Sequence, residues 1–507
     1  MRIEDALRGV ELVRRTGAGV SISGVEYDSR RVHPGSLFVA MQGASADGNR
    51  FIESAIKQGA AAVVSDSTLA IDHASQTFPQ LALIEVEHGR QALAQIAANY
   101  FGHPEAQMAL SGVTGTNGKT TTAFLLDSML NRYGRKTVLV GTIEYHVAGT
   151  IMPSPHTTPE SRDLMELFAE GVAAGASEVV MEVSSHALDQ GRVFGLNWDV
   201  AIFTNLTRDH LDYHGTMEKY FAAKRILFDG SRGPAPRVAV VNLDDEYGVQ
   251  IAEAARAAGS EVFAYGMDQG VFRAGNERIS AAGMRFEMTT PLGAIEVTSR
   301  LTGKVNVYNL LGASAAAMAR GLTPEQVASA IENLTPVPGR FQTVDAGQPF
   351  AVVVDYAHTD DALRNLIALA RDFVKGTGGR VITLFGCGGD RDRTKRPLMG
   401  RAAGEGSDLV ILTSDNPRSE DPVAILDDVL PALQQTGTPH TAEPDRAAAI
   451  LMALAAARDG DIVLLAGKGH EKVQVLRDAT VPFDDSEVAR QTLTGLGYAT
   501  THAGASR

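Results

Sequence analysis

Short runs of β-branched and other apolar residues alternate along this chain with alanine-rich stretches of helical period. Residues 37–40, 61–64, 138–140, 179–183, 238–241, 352–354, 381–385, 409–412 and 462–466 read as buried strands. Strands that alternate with helices predict α/β architecture with mainly parallel sheets. Two breaks interrupt the alternation, at Gly102-His-Pro104 and across residues 334–340, where Pro338, Gly339 and Arg340 fall. They divide the chain into three units, 1–107, 108–338 and 339–507, with residues 500–507 read as a loose tail.

Composition narrows the setting. A chain of 507 residues with 44% hydrophobic residues can bury several cores. The formal net charge of −14 speaks against a nucleic-acid groove, while leaving room for local basic sites that take anionic substrates. The single cysteine, Cys387, excludes an intramolecular disulfide framework and suits a reducing compartment. No apolar run approaches the ~20 residues of a spanning helix, and the N-terminus lacks a signal-peptide pattern. A soluble cytoplasmic protein without membrane insertion is expected.

The stretch Ser111-Gly-Val-Thr-Gly-Thr-Asn-Gly-Lys-Thr-Thr-Thr122 follows an apolar run and precedes a helical one, residues 123–130. A glycine-rich turn between strand and helix frees backbone N–H groups to cradle phosphates at a helix N-terminus. Lys119 would reach the outer phosphates and the Thr120 hydroxyl would bind Mg²⁺. The general pattern asks for glycine at position 113, where this chain has valine.

Further polar clusters stand at strand ends, where open α/β sheets hold ligands. Glu182, in Met181-Glu-Val-Ser-Ser-His186, offers the carboxylate oxygens that a hard cation prefers. Asp209, His210, Asp212 and His214 crowd one short segment, too dense for four unrelated structural side chains. Lys224 lies in a helical run, residues 219–228. It reads as a solvated helix lysine unless it is buried, in which case it would lose its proton and become modifiable.

Taken together these segments closely resemble the Mur ligases, the ATP-dependent amino-acid ligases of peptidoglycan synthesis. The resemblance runs over nearly the whole chain. It rests on Gly115-Thr-Asn-Gly-Lys-Thr120, Glu182-Val-Ser-Ser-His186, Thr204-Asn-Leu-Thr-Arg-Asp-His-Leu-Asp212, Asn306-Val-Tyr-Asn309, Pro338-Gly-Arg340, Asp355-Tyr-Ala-His358 and Gly467-Lys-Gly-His-Glu471. It implies a UDP-binding α/β domain, a central P-loop ATPase-like domain and a C-terminal Rossmann-like domain.

The N-terminal segments Tyr27-Asp-Ser-Arg30 and Gly35-Ser-Leu-Phe-Val-Ala40 resemble the branch of the family that adds the third peptide residue. That resemblance puts uridine contacts at Tyr27 and Ser29 and lays residues 43–46 beside the nucleotide, although Ala44-Ser45 departs from the His-Gln of some members. Thr157, Thr158, Ser185 and Arg192 would hold the UDP-muropeptide. Gly115, Thr116, Asn117, Gly118, Lys119, Thr120 and Thr121 would cradle ATP. Asn306 and Asn309 would take its adenine, Arg340 its γ-phosphate and Asp355 its ribose. Thr120 and Glu182 would hold one Mg²⁺ and His210 a second, with Lys224 converted to a carbamate (N6-carboxylysine). Lys119, Glu182, His210 and Lys224 thus form the implied catalytic set.

Asp415-Asn-Pro-Arg418 resembles the signature of members that use meso-diaminopimelate, whose distal carboxylate suits the planar donor pair of an arginine. Asp415, Asn416, Pro417 and Arg418, with Arg391, Gly467 and Glu471, would form that pocket, Glu471 meeting the distal amine. L-Lysine lacks the distal carboxylate and is the alternative substrate. A folylpolyglutamate synthase and a non-catalytic ATP-binding module are the other readings; the N-terminal segments oppose the first and the complete catalytic set opposes the second. Asp360 replaces a proline usual after His358-Thr359, and a locally altered turn is expected. All partners expected are small molecules, and a monomer is expected.

Overall fold

The computed structural model describes residues 1–43, 46–280, 283–334, 337–376 and 378–498. The expectations for Ala44-Ser45 and for residues 500–507 therefore lie outside the described residues.

Three separate sheets organise the chain. The first has five strands, among them Ser36–Ala40, Ala62–Ser65 and Ala82–Val86, paired in parallel, with Leu12–Thr16 antiparallel at one edge. The central sheet has eleven strands. Its parallel core places Ala109–Thr114 between Glu178–Glu182 and Val200–Phe203, with Thr137–Val140 and Val238–Asn242 outside them. The third sheet has six strands, in which Ala351–Asp355, Ile462–Ala466, Val381–Cys387, Leu409–Ser414 and His440–Glu443 run parallel in that spatial order.

The core strands are buried along their length, as expected when helices cover both faces of a parallel sheet. On one face of the central sheet Val113, Val180 and Ile202 pack with Leu126 and Leu130 of helix Lys119–Arg132 and with Leu310 of helix Lys304–Ala319. On the other, Met181 and Phe203 pack with Phe168 of helix Ser161–Ala173 and Tyr220 of helix Met217–Arg225.

Every strand predicted from the apolar runs is present, shifted at its ends by a residue or two. The antiparallel strands Phe272–Ser280, Gly283–Thr290 and Gly293–Ser299 at one edge of the central sheet, and Glu144–Val147 and Thr150–Pro153 at the other, carry mixed polarity and were not anticipated. The turn at Asp360 needs no alteration. Thr359 caps helix Asp360–Val374 by accepting from the Ala362 amide, and Asp360 takes the first helical position, where proline and acidic residues are both favourable. Among the described residues, no helix is long and apolar enough to cross a membrane.

Candidate active site

The phosphate loop leaves the C-terminal end of strand Ala109–Thr114, the central strand of the parallel core, and enters helix Lys119–Arg132. Two glycines make the turn possible. A Cβ on Gly115, at φ 150°, would lie 1.8 Å from Thr204 Oγ1, and one on Gly118, at φ 85°, would lie 2.5 Å from Asn309 Oδ1. Valine at 113 is no defect, because that residue is buried inside the strand, registered opposite Glu182. The loop proper spans 115–118.

A cavity of about 570 Å³ opens above this loop. Thr116, Asn117, Gly118, Lys119, Thr120 and Thr121 line it from the loop, and Asn306 and Asn309 from helix Lys304–Ala319. Glu182, Ser185 and Arg192 reach it from strand Glu178–Glu182 and the segment that follows. His210, Lys224, Thr157, Thr158, Arg340, Asp355 and Arg391 complete the predicted residues that share this space.

Glu182 is fully buried yet makes no ion pair among the described residues. Its Oε2 accepts from the hydroxyls of Thr120, at 2.9 Å, and Thr142, at 3.1 Å, and its Oε1 accepts from the Thr142 amide at 2.7 Å. A buried carboxylate without a cation is costly, so this oxygen-rich corner fits a divalent ion held jointly with phosphate oxygens. Among the described residues no group of three or more His, Cys, Asp or Glu side chains is arranged to hold a metal alone, which agrees with such sharing. Arg340 donates to the same Thr120 hydroxyl at 3.0 Å, and its guanidinium lies over the Tyr356 ring.

Lys119 folds back on the loop, donating to the carbonyls of Gly115 and Thr116, each at 2.9 Å. Burial lowers its pKa, Glu182 and Asp209 oppose the shift, and Arg340 adds to it. Lys224 is 1% exposed and donates to the Gly115 carbonyl at 2.7 Å. Burial, then repulsion from Lys119, holds its amine well below the ordinary lysine range. It is a buried amine without an acid partner, not a solvated helix residue. Burial also pushes His210 down to about 3, assisted by His186, Lys119 and Lys224 and opposed by Asp209, which favours the neutral ring.

The remaining residues divide by what they touch. Thr157 and Thr142 share a hydrogen bond at 3.0 Å, while Thr158 donates inward to the Glu182 carbonyl at 2.8 Å. Ser185 bonds His214 at 2.9 Å, and Arg192 donates to the Thr158 carbonyl at 2.9 Å. Asn309 donates to Asn306 Oδ1 at 3.0 Å. Asp355 accepts from the amides of Phe341, at 2.7 Å, and Ala357, at 2.8 Å, which makes it a loop organiser as well as a lining group.

Tyr27 and Ser29 do not line this cavity. Tyr27 donates to Asp163 at 2.6 Å across the junction of the first and central sheets, and Ser29 opens the short helix Ser29–Arg31.

A second cavity, of about 1040 Å³, adjoins the first and shares Thr142, His156, Thr157 and Tyr356 with it. Asn416, Arg418 and Glu471 line it from loops after strands Leu409–Ser414 and Ile462–Ala466, and Ile151, Met152 and Pro153 line it from the edge hairpin of the central sheet. Asp415, Pro417 and Gly467 stand behind these groups: the Asp415 carbonyl accepts from Gln474 at 2.8 Å, a Cβ on Gly389 would lie 1.9 Å from the Pro417 carbonyl, and one on Gly467 would lie 3.3 Å from Asp415 Oδ2. Arg418 donates to the Gly389 carbonyl at 2.8 Å, and Arg391 to that of Asp390 at 3.0 Å. Neither forms an ion pair with an acid among the described residues. Burial and the neighbouring Arg391 lower the Arg418 pKa, the signature of a cation short of anions. Beneath them Arg446 and Asp485, both 0% exposed, form a buried pair, and Arg446 also donates to the carbonyls of Ser414 and Ala466, each at 3.1 Å.

Sequence reasoning missed Thr142, Tyr356, Lys468 and Arg446. Thr142, Tyr356 and Lys468 each stand two residues beyond a predicted strand, but nothing in the sequence marked what they touch.

Fold and site together define a nucleotide-binding α/β protein whose phosphate loop faces a second, arginine-lined ligand cavity. Comparison with known proteins carries this further. Residues 21–101 match the model for the Mur ligase family, catalytic domain; residues 113–317 match the Mur ligase middle domain; residues 339–469 match the Mur ligase, glutamate ligase domain. The UDP-N-acetylmuramoyl-L-alanyl-D-glutamate–2,6-diaminopimelate ligase of Solibacter usitatus is 53% identical, covering 98% of this chain and 99% of its own length. The ligase of the same name from Geobacillus kaustophilus is 44% identical, covering 95% and 96%. A solved structure of a ligase with that name superposes with a TM-score of 0.66 at 33% identity, covering 94% of this chain and 96% of the other. The chain belongs to the Mur ligase family.

Proposed function

We propose that this chain joins 2,6-diaminopimelate, in its meso form, to UDP-N-acetylmuramoyl-L-alanyl-D-glutamate at the expense of ATP, in peptidoglycan precursor synthesis. The observation that carries the reading is the pair of adjoining cavities: a phosphate loop with a buried carboxylate in one, where Arg391 also stands, and Arg418, without an ion pair among the described residues, in the other. Three units, 1–107, 108–338 and 339–507, would bring one substrate each. The uridine end of the acceptor would rest at Tyr27 and Ser29, and its peptide end at Thr157, Thr158, Ser185 and Arg192.

A carboxylate is a poor electrophile, so amide formation needs activation. A D-glutamate carboxylate oxygen attacks the γ-phosphorus of ATP, the bond to ADP breaks, and an acyl phosphate forms. The amine nitrogen then attacks the acyl carbon, inorganic phosphate leaves, and the amine gives up a proton. The protein contributes position and charge. Lys119, Arg340 and the loop amides neutralise the transferring phosphoryl group, and Asn306, Asn309 and Asp355 hold the nucleoside. Thr120 and Glu182 suit one Mg²⁺, which supplies Lewis-acid charge neutralisation when bound; neutral His210 suits a second. Burial favours the neutral form of the Lys224 amine, the form that adds to CO₂ and releases a proton, which would leave a carbamate anion. Arg418 and Arg391 would meet the distal carboxylate of diaminopimelate, with Asp415, Asn416, Pro417, Gly467 and Glu471 forming the rest of the pocket. One copy of the chain holds the entire set, which favours a monomer, and all three substrates belong to the cytoplasm.

The test is coupled phosphate release with the UDP-linked acceptor, ATP and Mg²⁺, comparing meso-diaminopimelate with L-lysine. Diaminopimelate should be preferred, and Arg418→Ala should abolish the preference. Preference for lysine would overturn the role of Arg418, and phosphate release indifferent to any amino acid would overturn the ligase mechanism.

A further inference from the structure

Lys468 is a fully buried lysine in the loop that follows strand Ile462–Ala466, behind Asn416, Glu471 and Val473, which line the second cavity. Its ammonium has three protons, and all three are spent inside the protein: on Asn416 Oδ1 at 3.1 Å, Glu471 Oε2 at 3.0 Å and the Val473 carbonyl at 2.7 Å. Asp415 Oδ1, buried and otherwise without a hydrogen bond, stands 3.8 Å from the same nitrogen. The lysine therefore has no donor left for a ligand. What it does is fix the groups that face one.

The Asn416 amide shows how. Its Oδ1 accepts from Lys468 and from the Val475 amide at 3.0 Å, which turns its Nδ2 toward Glu471 Oε2 at 2.7 Å. Glu471 is thus gripped through one oxygen by both partners, and among the described residues its Oε1 has no hydrogen bond. Without the ammonium, the carboxylates of Glu471 and Asp415 would repel each other, and Asn416 Oδ1 would keep only the Val475 amide as a donor.

We infer that Lys468 is the positioning residue of the amino-acid pocket, holding Asn416 and Glu471 in one orientation for a substrate whose far end carries both an amine and a carboxylate. This rests on the reading of the second cavity as the diaminopimelate site. It gives Lys468 a selective role: its loss weakens capture of the amino acid, while among the described residues its ammonium makes no hydrogen bond or ion pair to the phosphate loop.

The experiment is steady-state kinetics on full-length Lys468→Met, with KM measured separately for meso-diaminopimelate, ATP and the UDP-linked acceptor. Loss of these charge-assisted hydrogen bonds should raise the diaminopimelate KM about 10- to 100-fold. The other two KM values should stay within about twofold, and kcat at saturation within about threefold. Discrimination against L-lysine should narrow. Should the methionine variant fail to fold by circular dichroism, Lys468→Gln fills similar space, keeps two uncharged donors, and should show the same split at smaller size. KM values that all rise together, or a loss confined to kcat, would overturn the positioning role. Wild-type enzyme that releases no phosphate with diaminopimelate would instead overturn the substrate reading on which it rests.

Discussion

Replacing Arg446 by methionine would remove the cation of a wholly buried ion pair and keep its volume roughly filled. Asp485 would then be a buried carboxylate without a partner, and the carbonyls of Ser414 and Ala466 would lose their side-chain donor. Breaking a buried pair from one side costs about 3–5 kcal/mol, because the surviving charge stays desolvated. For a unit of roughly 150–250 residues each kcal/mol moves the melting temperature by about 2–4 °C, so the transition of the unit built on the third sheet should fall by about 6–20 °C. Differential scanning calorimetry reads this directly. The companion Arg446→Met/Asp485→Leu removes both charges, and apolar replacement of a buried pair is often close to neutral, so the double variant should recover at least half the loss. A single variant that melts within about 2 °C of wild type, or a double variant less stable than the single, would refute the argument.

Two other outcomes follow from charge states. Wild type exchanged into ¹³C-bicarbonate should give a carbamate carbonyl resonance that Lys224→Arg lacks; equal spectra would remove the modification from the mechanism. His146 should make stability depend on pH. Burial works against its charged ring, but hydrogen bonds to Asp127 and Glu144 prevail and raise its pKa. A raised folded-state pKa gives stability that is full below the unfolded value, about 6.5, and is lost as pH rises through the folded one. The melting advantage of wild type over His146→Gln should thus be larger at pH 6 than at pH 9, and a pH-independent difference would contradict it.

Much of this molecule was legible in its sequence, for identifiable reasons. Buried parallel strands such as Val238–Asn242 are apolar up to their last residue, and a phosphate loop declares itself by glycines whose Cβ positions are already occupied. The strand Phe272–Ser280, inside the antiparallel margin of the central sheet, was not legible, because its second half is exposed and Arg273, Glu277 and Arg278 interrupt its apolar pattern. Tyr27 and Ser29 were placed by resemblance, and nothing local could tell that Tyr27 ties two sheets together through Asp163. The character of Lys224 was hidden for the same reason. Its helix looks solvated from its composition, and only packing under Gly115 and over the Tyr220 ring deprives it of water. Thr142 and Lys468 had no signal of their own, since each acts on a residue distant in sequence or across a loop.

The second cavity has one further consequence. Its inner wall belongs to the third sheet, and its outer wall, Ile151 to Pro153, belongs to an edge hairpin of the central one. Such a space exists only while the two sheets are seated against each other. An amino acid lodged there, as proposed, would touch both, so its binding would favour the seated arrangement over any in which the two sheets stand apart.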